Sequence, residues 1–303
     1  MARRKRPQQL LHPRYWGVWA LLGLLRVAIL LPFGAQLALG RMLGAGLARF
    51  SARRRTIAAD NLALCFPDLD PAARQRLLAA HFAALGIALV EIAQCWWGEA
   101  QRLERLASFR GLEHLEAALG QGRGALLLSA HFTTLEIGGR LLGLRSRFHP
   151  MYKPSRNPVI ERFMRGRRVH HFQHAIPMDD VRGVLRSLKD NVPVWYAPDQ
   201  GFRGKGVLAV PFFGRPAPTN PATARLARAS GAPVLPFFVR RLPGSAGYEL
   251  EIGAALAGFP TDDPQADALR INQLIEDAIR RCPEQYLWAH DRFKLHRDDQ
   301  PAA

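Results

Sequence analysis

Between Gly17 and Leu39 the chain is apolar, with Arg26 as its one charge, and Trp16 and Trp19 stand near one edge, where indole rings suit a membrane interface. The run is longer than a signal-peptide core, and Arg41 and Met42 follow it without a small-residue cleavage pattern. It predicts an N-terminal membrane-anchor helix. Arg26 and Pro32 count against a straight span, which leaves a tilted or in-plane segment as the alternative. Asp70-Pro71 then reads as a helix start, a capping carboxylate with proline at the first helical position. That helix runs to about Trp97, with Leu77, Leu78, Phe82, Leu85, Leu89 and Ile92 at helical spacing.

Beyond this helix the period of the pattern switches. ALLLSA (125–130) is a continuous apolar run after the turn residues Gly120, Gly122 and Gly124, as a buried strand requires. A helix from about Thr133 to Gly143, a strand through RFHPMYK (147–153) and a helix opened by Asn157-Pro158 follow. VPVWYAP (192–198), PVLPFFVRR (233–241) and YELEIGAAL (248–256) read as strands, with helices from Asn220-Pro221 to Ser230 and over 264–281. The alternation predicts an α/β fold, a central mixed sheet flanked by helices. No repeat or long linker interrupts it, so a basic N-terminus and anchor (1–45) precede one catalytic domain (46–303).

Composition sharpens the picture. The three cysteines, Cys65, Cys95 and Cys282, fall in no metal-like spacing and cannot form a closed disulfide set, which suits a reducing compartment. The formal net charge of +17 implies an anionic partner: nucleic acid, membrane headgroups, a phosphorylated substrate or an acidic carrier protein. The basic residues flank the anchor (Arg3–Arg6 and Arg14 before it; Arg41, Arg49 and Arg53–Arg55 after it) and do not form a stripe interleaved with aromatics. That favours an anionic membrane surface over nucleic acid. Because the two flanks tie, the charge count does not set an orientation.

The chemistry-bearing segment is ALLLSA-HFTTLEIGG (125–139), in which His131 and Glu136 stand five apart where a buried strand gives way to a helix. The carboxyl end of a sheet strand is where open α/β folds place ligand chemistry. A carboxylate against one imidazole nitrogen fixes the tautomer and supports the imidazolium formed when the other nitrogen takes a proton. Glu136 is the residue expected to do this. The spacing alone is weak, since His174 and Asp179 repeat it, but that pair follows no apolar strand. Ser129 lies two residues before His131, in the strand, and is badly placed as a nucleophile. There is no P-loop, no GxGxxG and no GxSxG elbow, so no cofactor or metal is expected and a serine lipid hydrolase is disfavoured.

Several segments in order resemble the lipid A late acyltransferase family, the lauroyl and myristoyl transferases of Gram-negative inner membranes: DNLALCFPDLD (60–70), SAHFTTLEIGG (129–139), MYKPSRNPVIERFMRGRR (151–168), VWYAPDQGF (194–202), VPFFGRPAPTNP (210–221) and QYLWAHDRFK (285–294). The resemblance implies a glycerolipid-acyltransferase-like fold and an acyl carrier protein thioester as donor. It implies a hydroxyl of a phosphorylated glycolipid as acceptor, and a catalytic domain on the cytoplasmic side of the inner membrane. By the same resemblance Arg168, with Arg167 close behind, holds a carbonyl or phosphate, although basic residues at a helix end also suit its dipole. Lys153 stands where relatives commonly have arginine and loses the bidentate fork. Asp199 helps shape the site or caps a turn, and Gln200 replaces a common histidine. Phe212, Phe213, Phe237 and Phe238 line an acyl pocket or, by default, the core. His290 and Arg292 are expected to be structural. The implied reaction is direct transfer with His131 as general base; the alternative is another glycolipid acceptor, with acyl-CoA as donor.

Overall fold

The computed structural model describes residues 10–155, 157–200 and 206–294; the Arg3–Arg6 cluster lies outside them. The helices are α1 (Trp16–Ala28), α2 (Phe33–Phe50), α3 (Ala52–Cys65), α4 (Pro71–Trp97), α5 (Ala100–Glu104), α6 (Leu112–Leu119), α7 (Leu135–Leu142), α8 (Pro158–Phe172), α9 (Val181–Lys189), α10 (Ala222–Ser230) and α11 (Pro264–Arg281). The strands are β1 (Ala107–Arg110), β2 (Leu126–Leu128), β3 (His149–Tyr152), β4 (Ile176–Pro177), β5 (Val194–Tyr196), β6 (Leu208–Phe212), β7 (Arg215–Thr219), β8 (Val234–Arg241) and β9 (Tyr248–Ile252).

Seven strands form one sheet in the order β1-β9-β8-β2-β5-β3-β4. Every pairing is parallel except that of β8 with β9, so the sheet is mixed. Both faces are covered. Leu126 and Leu128 point into one core with Val194, Tyr196, Val234 and Phe238, while Leu127 points into the other with Trp195, Leu235 and Phe237. A strand buried on both faces reads as an unbroken apolar run, which is why ALLLSA does not alternate. Each fully buried leucine there contributes about 1.5–3 kcal/mol of transfer free energy. Phe212, Phe237 and Phe238 are 1%, 0% and 9% exposed and belong to the core, and the cavity that Phe238 borders, about 10 Å³, is too small for an acyl chain. Strands β6 and β7 form a separate antiparallel hairpin that sequence patterning did not anticipate, because three prolines and a glycine interrupt its period.

The N-terminal apolar run is not one helix. It breaks at Leu30–Pro32, where proline supplies no N–H, and α2 starts afresh beyond it. The carbonyls exposed by the break are satisfied by side chains. Gln36 Nε2 donates to Ile29 O and Leu31 O at 3.0 and 2.7 Å, and Arg102 donates to the same two oxygens at 3.3 and 2.9 Å. Helix α2 continues across the expected boundary at residue 45 and lies against α4 in backbone contact. A Cβ at Gly44 would collide with the Phe82 carbonyl, and one at Gly86 with the Gly40 carbonyl. Only α4, among the described residues, is long and apolar enough to cross a membrane, and 56% of that stretch is buried inside the protein. Helix α1 has one buried face (Leu22, Leu25, Ala28) and one apolar exposed face, with Trp16 64%, Leu24 69%, Val27 63% and, just beyond its end, Leu30 71% exposed.

Helix α4 begins as its sequence predicts: Pro71 is its first residue and Asp70 accepts from the Ala73 N–H at 2.6 Å. Glu91 fixes it over the sheet. Arg241 of β8 donates to both carboxylate oxygens at 2.6 and 2.8 Å, and the Tyr248 hydroxyl donates at 2.8 Å.

Candidate active site

Strands β2 and β5 are parallel neighbours, with Leu128 opposite Tyr196. His131 and Asp199 each lie three residues past those partners, so the sheet register itself brings them side by side. The two side chains meet. His131 Nδ1 lies 2.7 Å from Asp199 Oδ1, and the His131 backbone N–H donates to Oδ2 at 3.0 Å. The Asp199 side chain is 2% exposed and the His131 side chain 27%. Burial opposes charge on both groups, but their attraction and hydrogen bonds prevail: the imidazole is held above its ordinary value and the carboxyl below its own. With Nδ1 committed to the carboxylate, Nε2 is the nitrogen left to exchange a proton.

A C-terminal segment frames this pair. The Leu287 N–H donates to His131 O at 2.9 Å, the Thr133 N–H donates to Gln285 O at 2.7 Å, and Phe132 forms an antiparallel bridge with Tyr286. Tyr286 is buried beside Asp199, and burial together with that carboxylate's charge pushes its phenol up. Asn61 of α3 ties the segment down through the carbonyls of Trp288 and His290, at 2.8 and 2.7 Å. Arg292, 2% exposed, donates to Pro218 O and to Thr219 Oγ1, anchoring the segment to the hairpin. Tyr286 was not singled out in the sequence, where it reads as one aromatic in an apolar run.

Glu136 occupies the first turn of α7, but its partner is not His131. Arg168 Nη2 lies 2.6 Å from Glu136 Oε1, with side-chain exposures of 14% and 27%. The expectation that Glu136 orients the imidazole is therefore corrected. Five residues along the chain bring it onto α7, where a guanidinium from α8 takes it, while the strand beside β2 supplies the imidazole's carboxylate. Arg168 also lies over the Tyr152 ring at 5.1 Å, and Arg167 lies over Phe163 at 5.5 Å. Lys153 is exposed directly after Tyr152, at the carboxyl end of β3. The carboxyl ends of three adjacent strands thus contribute: β2 leads to His131, β5 to Asp199, and β3 to Tyr152 and Lys153.

His174 makes a ring contact with His149 at 5.2 Å, and Asp179 is exposed. All three cysteines are buried, and burial pushes the thiols of Cys65 and Cys282 up, the latter to about 12. None is a ready thiolate nucleophile. No cluster of three or more metal-ligating side chains occurs among the described residues.

Beside the pair lies a cleft of about 340 Å³. Its walls include Leu47, Phe82, Leu85 and Leu287, and Gln200 and His290 line it too. Gln200 follows Asp199 in the chain, and the Leu287 N–H is bonded to the His131 backbone carbonyl, so the cleft is lined by neighbours of the pair.

A model of the family described as bacterial lipid A biosynthesis acyltransferase matches residues 3–295. The lipid A biosynthesis palmitoleoyltransferase of Escherichia coli (strain K12) is 39% identical over 289 residues, covering 95% of this chain and 94% of that protein. The lipid A biosynthesis lauroyltransferase of the same organism is 35% identical over 294 residues, covering 97% and 96%. Among solved structures, the 1-acyl-sn-glycerophosphate acyltransferase of Thermotoga maritima aligns over 81% of this chain and 97% of that one, at 12% identity and a TM-score of 0.39.

Proposed function

The chain belongs to the bacterial lipid A biosynthesis acyltransferase family, and on that premise we propose that it moves a fatty acyl chain from an acyl carrier protein thioester to a hydroxyl of a lipid A precursor. The observation that carries the mechanism is the His131–Asp199 pair at the ends of β2 and β5. His131 Nε2 takes the proton of the acceptor hydroxyl as its oxygen attacks the thioester carbonyl. The tetrahedral intermediate collapses by breaking the C–S bond, and the imidazolium returns its proton to the departing sulfur. Asp199 holds the tautomer and supports the transient positive charge. Arg168, held by Glu136, supplies charge for a substrate carbonyl or phosphate, with Arg167 and Lys153 beside it. The cleft, with Leu47, Phe82, Leu85 and Leu287 along its walls and Arg54 and His290 among its polar residues, accepts an acyl chain.

The membrane reading follows from α1. Its 13 residues span about 20 Å, short of a hydrocarbon core of about 30 Å, and its exposed apolar face suits burial in one leaflet. Lying in plane, it keeps the exposed Arg41, Arg49 and Arg53 on the side of anionic headgroups. The catalytic domain then faces the cytoplasmic side of the inner membrane, where a carrier-protein donor is available. No span has to carry a charged flank outward.

The test is lipid A mass spectrometry in cells lacking the gene, complemented with wild type or with His131→Ala. Wild type should restore the mass of one acyl chain and His131→Ala should not, with transfer by purified protein falling on the order of 100- to 10,000-fold. Restoration by His131→Ala would remove the mechanism. Donor identity is read in the same assay: carrier-bound acyl should outcompete acyl-CoA at low salt and lose that advantage as salt screens the protein's field.

A further inference from the structure

Helix α7 carries a cation that the reaction above does not use. Arg140 stands one turn beyond Glu136, is 9% exposed, and makes no ion pair or side-chain hydrogen bond among the described residues; its Nε is buried without a partner. The other deeply buried arginines behave differently. Arg241 is doubly bonded to Glu91, and Arg292, although its Nε is likewise unpartnered, is bonded through both terminal nitrogens to Pro218 and Thr219, whereas no such bond holds Arg140 among the described residues. The carboxylate nearest to Arg140 in sequence, Glu136, is taken by Arg168.

The surroundings of Arg140 hold a further unmatched ring nitrogen and a second guanidinium. His171 of α8 has its Nε2 buried without a partner. Burial, and then the charges of Arg140, His170 and Arg167, push its imidazole down to about 4. Arg167 is held nearby over Phe163, whose ring also meets Trp96 at 4.8 Å. A buried guanidinium without a counter-ion is costly to keep, and unmatched donors in a native interior call for an anion or a ligand to complete them. The planar fork of arginine fits the oxygens of a phosphate.

We propose that Arg140, His171 and Arg167 form a phosphate-binding site between α7 and α8, filled by a phosphate group of a substrate. The inference rests on the acyl-transfer reading, which brings two such groups: the phosphate monoester of the glycolipid, and the phosphodiester that joins the thioester arm to its carrier. Either one, bound beside Glu136 and Arg168, positions its substrate at the carboxyl ends of β2 and β3.

The experiment compares wild type with Arg140→Gln and His171→Asn in steady-state kinetics. Each is assayed with carrier-protein donor and with phosphorylated or dephosphorylated glycolipid acceptor, and thermal melting checks the fold. KM for the substrate that carries the phosphate should rise on the order of 10- to 100-fold while kcat changes little, and Arg140→Lys should recover part of the loss. If the acceptor phosphate is bound, the wild-type preference for phosphorylated over dephosphorylated acceptor collapses in Arg140→Gln. If the carrier's phosphodiester is bound, that preference survives and donor KM rises instead. Because Arg140 is buried, His171→Asn carries the test from a half-buried position, and inorganic phosphate should be a weaker competitive inhibitor of each variant than of wild type. Unchanged KM for both substrates in folded variants, or a loss confined to kcat, overturns the site. A wild-type protein with no transfer activity would instead sink the reading on which it rests.

Discussion

Two carboxylates stand at the candidate active site, and they hold different partners because different elements deliver them. Asp199 comes from the end of β5, is almost fully buried, and grips His131 through both the ring and the backbone N–H. Glu136 comes from α7, five residues along the chain from His131, keeps 27% of its side chain exposed and is held by Arg168. The residue closer in sequence is not the one bonded to the imidazole. A sheet register is rigid and sets neighbouring strand ends side by side, whereas a helix's first turn points its side chains according to its own phase.

The largest effect expected from this contrast is at Asp199. Asp199→Asn keeps the shape but removes the charge and can present the wrong hydrogen-bonding group to Nδ1, so kcat should fall on the order of 1,000-fold. The pH profile is the sharper reading. His131 must be neutral to act as a base, and its pKa is held above the ordinary 6.5 mainly because Asp199's attraction outweighs burial. Wild-type kcat/KM should therefore rise with pH through a limb lying above 6.5. Without the charge, burial acts unopposed and the limb should move to lower pH. A limb that stays in place in Asp199→Asn but moves in Glu136→Gln would reverse the two roles.

Glu136→Gln comes next. It leaves a hydrogen-bonding group for Arg168 but no counter-charge, so Arg168 loses its fixed position over Tyr152. Losing a charged partner of this kind should cost on the order of 10- to 100-fold. The loss should fall mainly on KM, with the acidic limb unmoved, since the imidazole keeps Asp199. An Asp199→Asn, Glu136→Gln double variant whose losses multiply would confirm two separate devices; losses that do not add in free energy would join them into one.

Much of this was legible in the chain, for reasons that can be stated residue by residue. Buried parallel strands leave continuous apolar runs, so β2, β5 and β8 could be read directly, and Asp70-Pro71 announced α4 by its capping chemistry. His131 was legible because a polar residue directly after such a run stands out. Its partner was not, because strand adjacency is a property of tertiary pairing: nothing local says that β5 lies beside β2. Arg140 was hidden for a related reason. On a helix at i+4 from a glutamate it reads as an ordinary ion pair, and only the capture of that glutamate by α8 leaves it alone. The N-terminal run is misleading in length, because its apolar pattern continues unbroken through Pro32 although the proline divides it into two helices.

The smallest expected effect tests whether spacing or strand context selects a catalytic histidine. His174 and Asp179 have the same five-residue separation as His131 and Glu136, but they lie between α8 and α9. His174 is exposed and its ring lies 5.2 Å from that of His149, which in turn bonds Ser187 at 2.9 Å. No strand end aims His174 at Asp199. Its removal takes away one of the influences that, after burial, hold His149 down at about 4. That eases an electrostatic strain and leaves the His149–Ser187 bond in place. His174→Ala should accordingly keep kcat/KM within about twofold of wild type, the range of surface substitutions away from special features, and leave the acidic limb where it is. A loss comparable to that of His131→Ala would mean that the segment around β4 enters the reaction, and that strand-end position is not what marks the catalytic histidine in this fold.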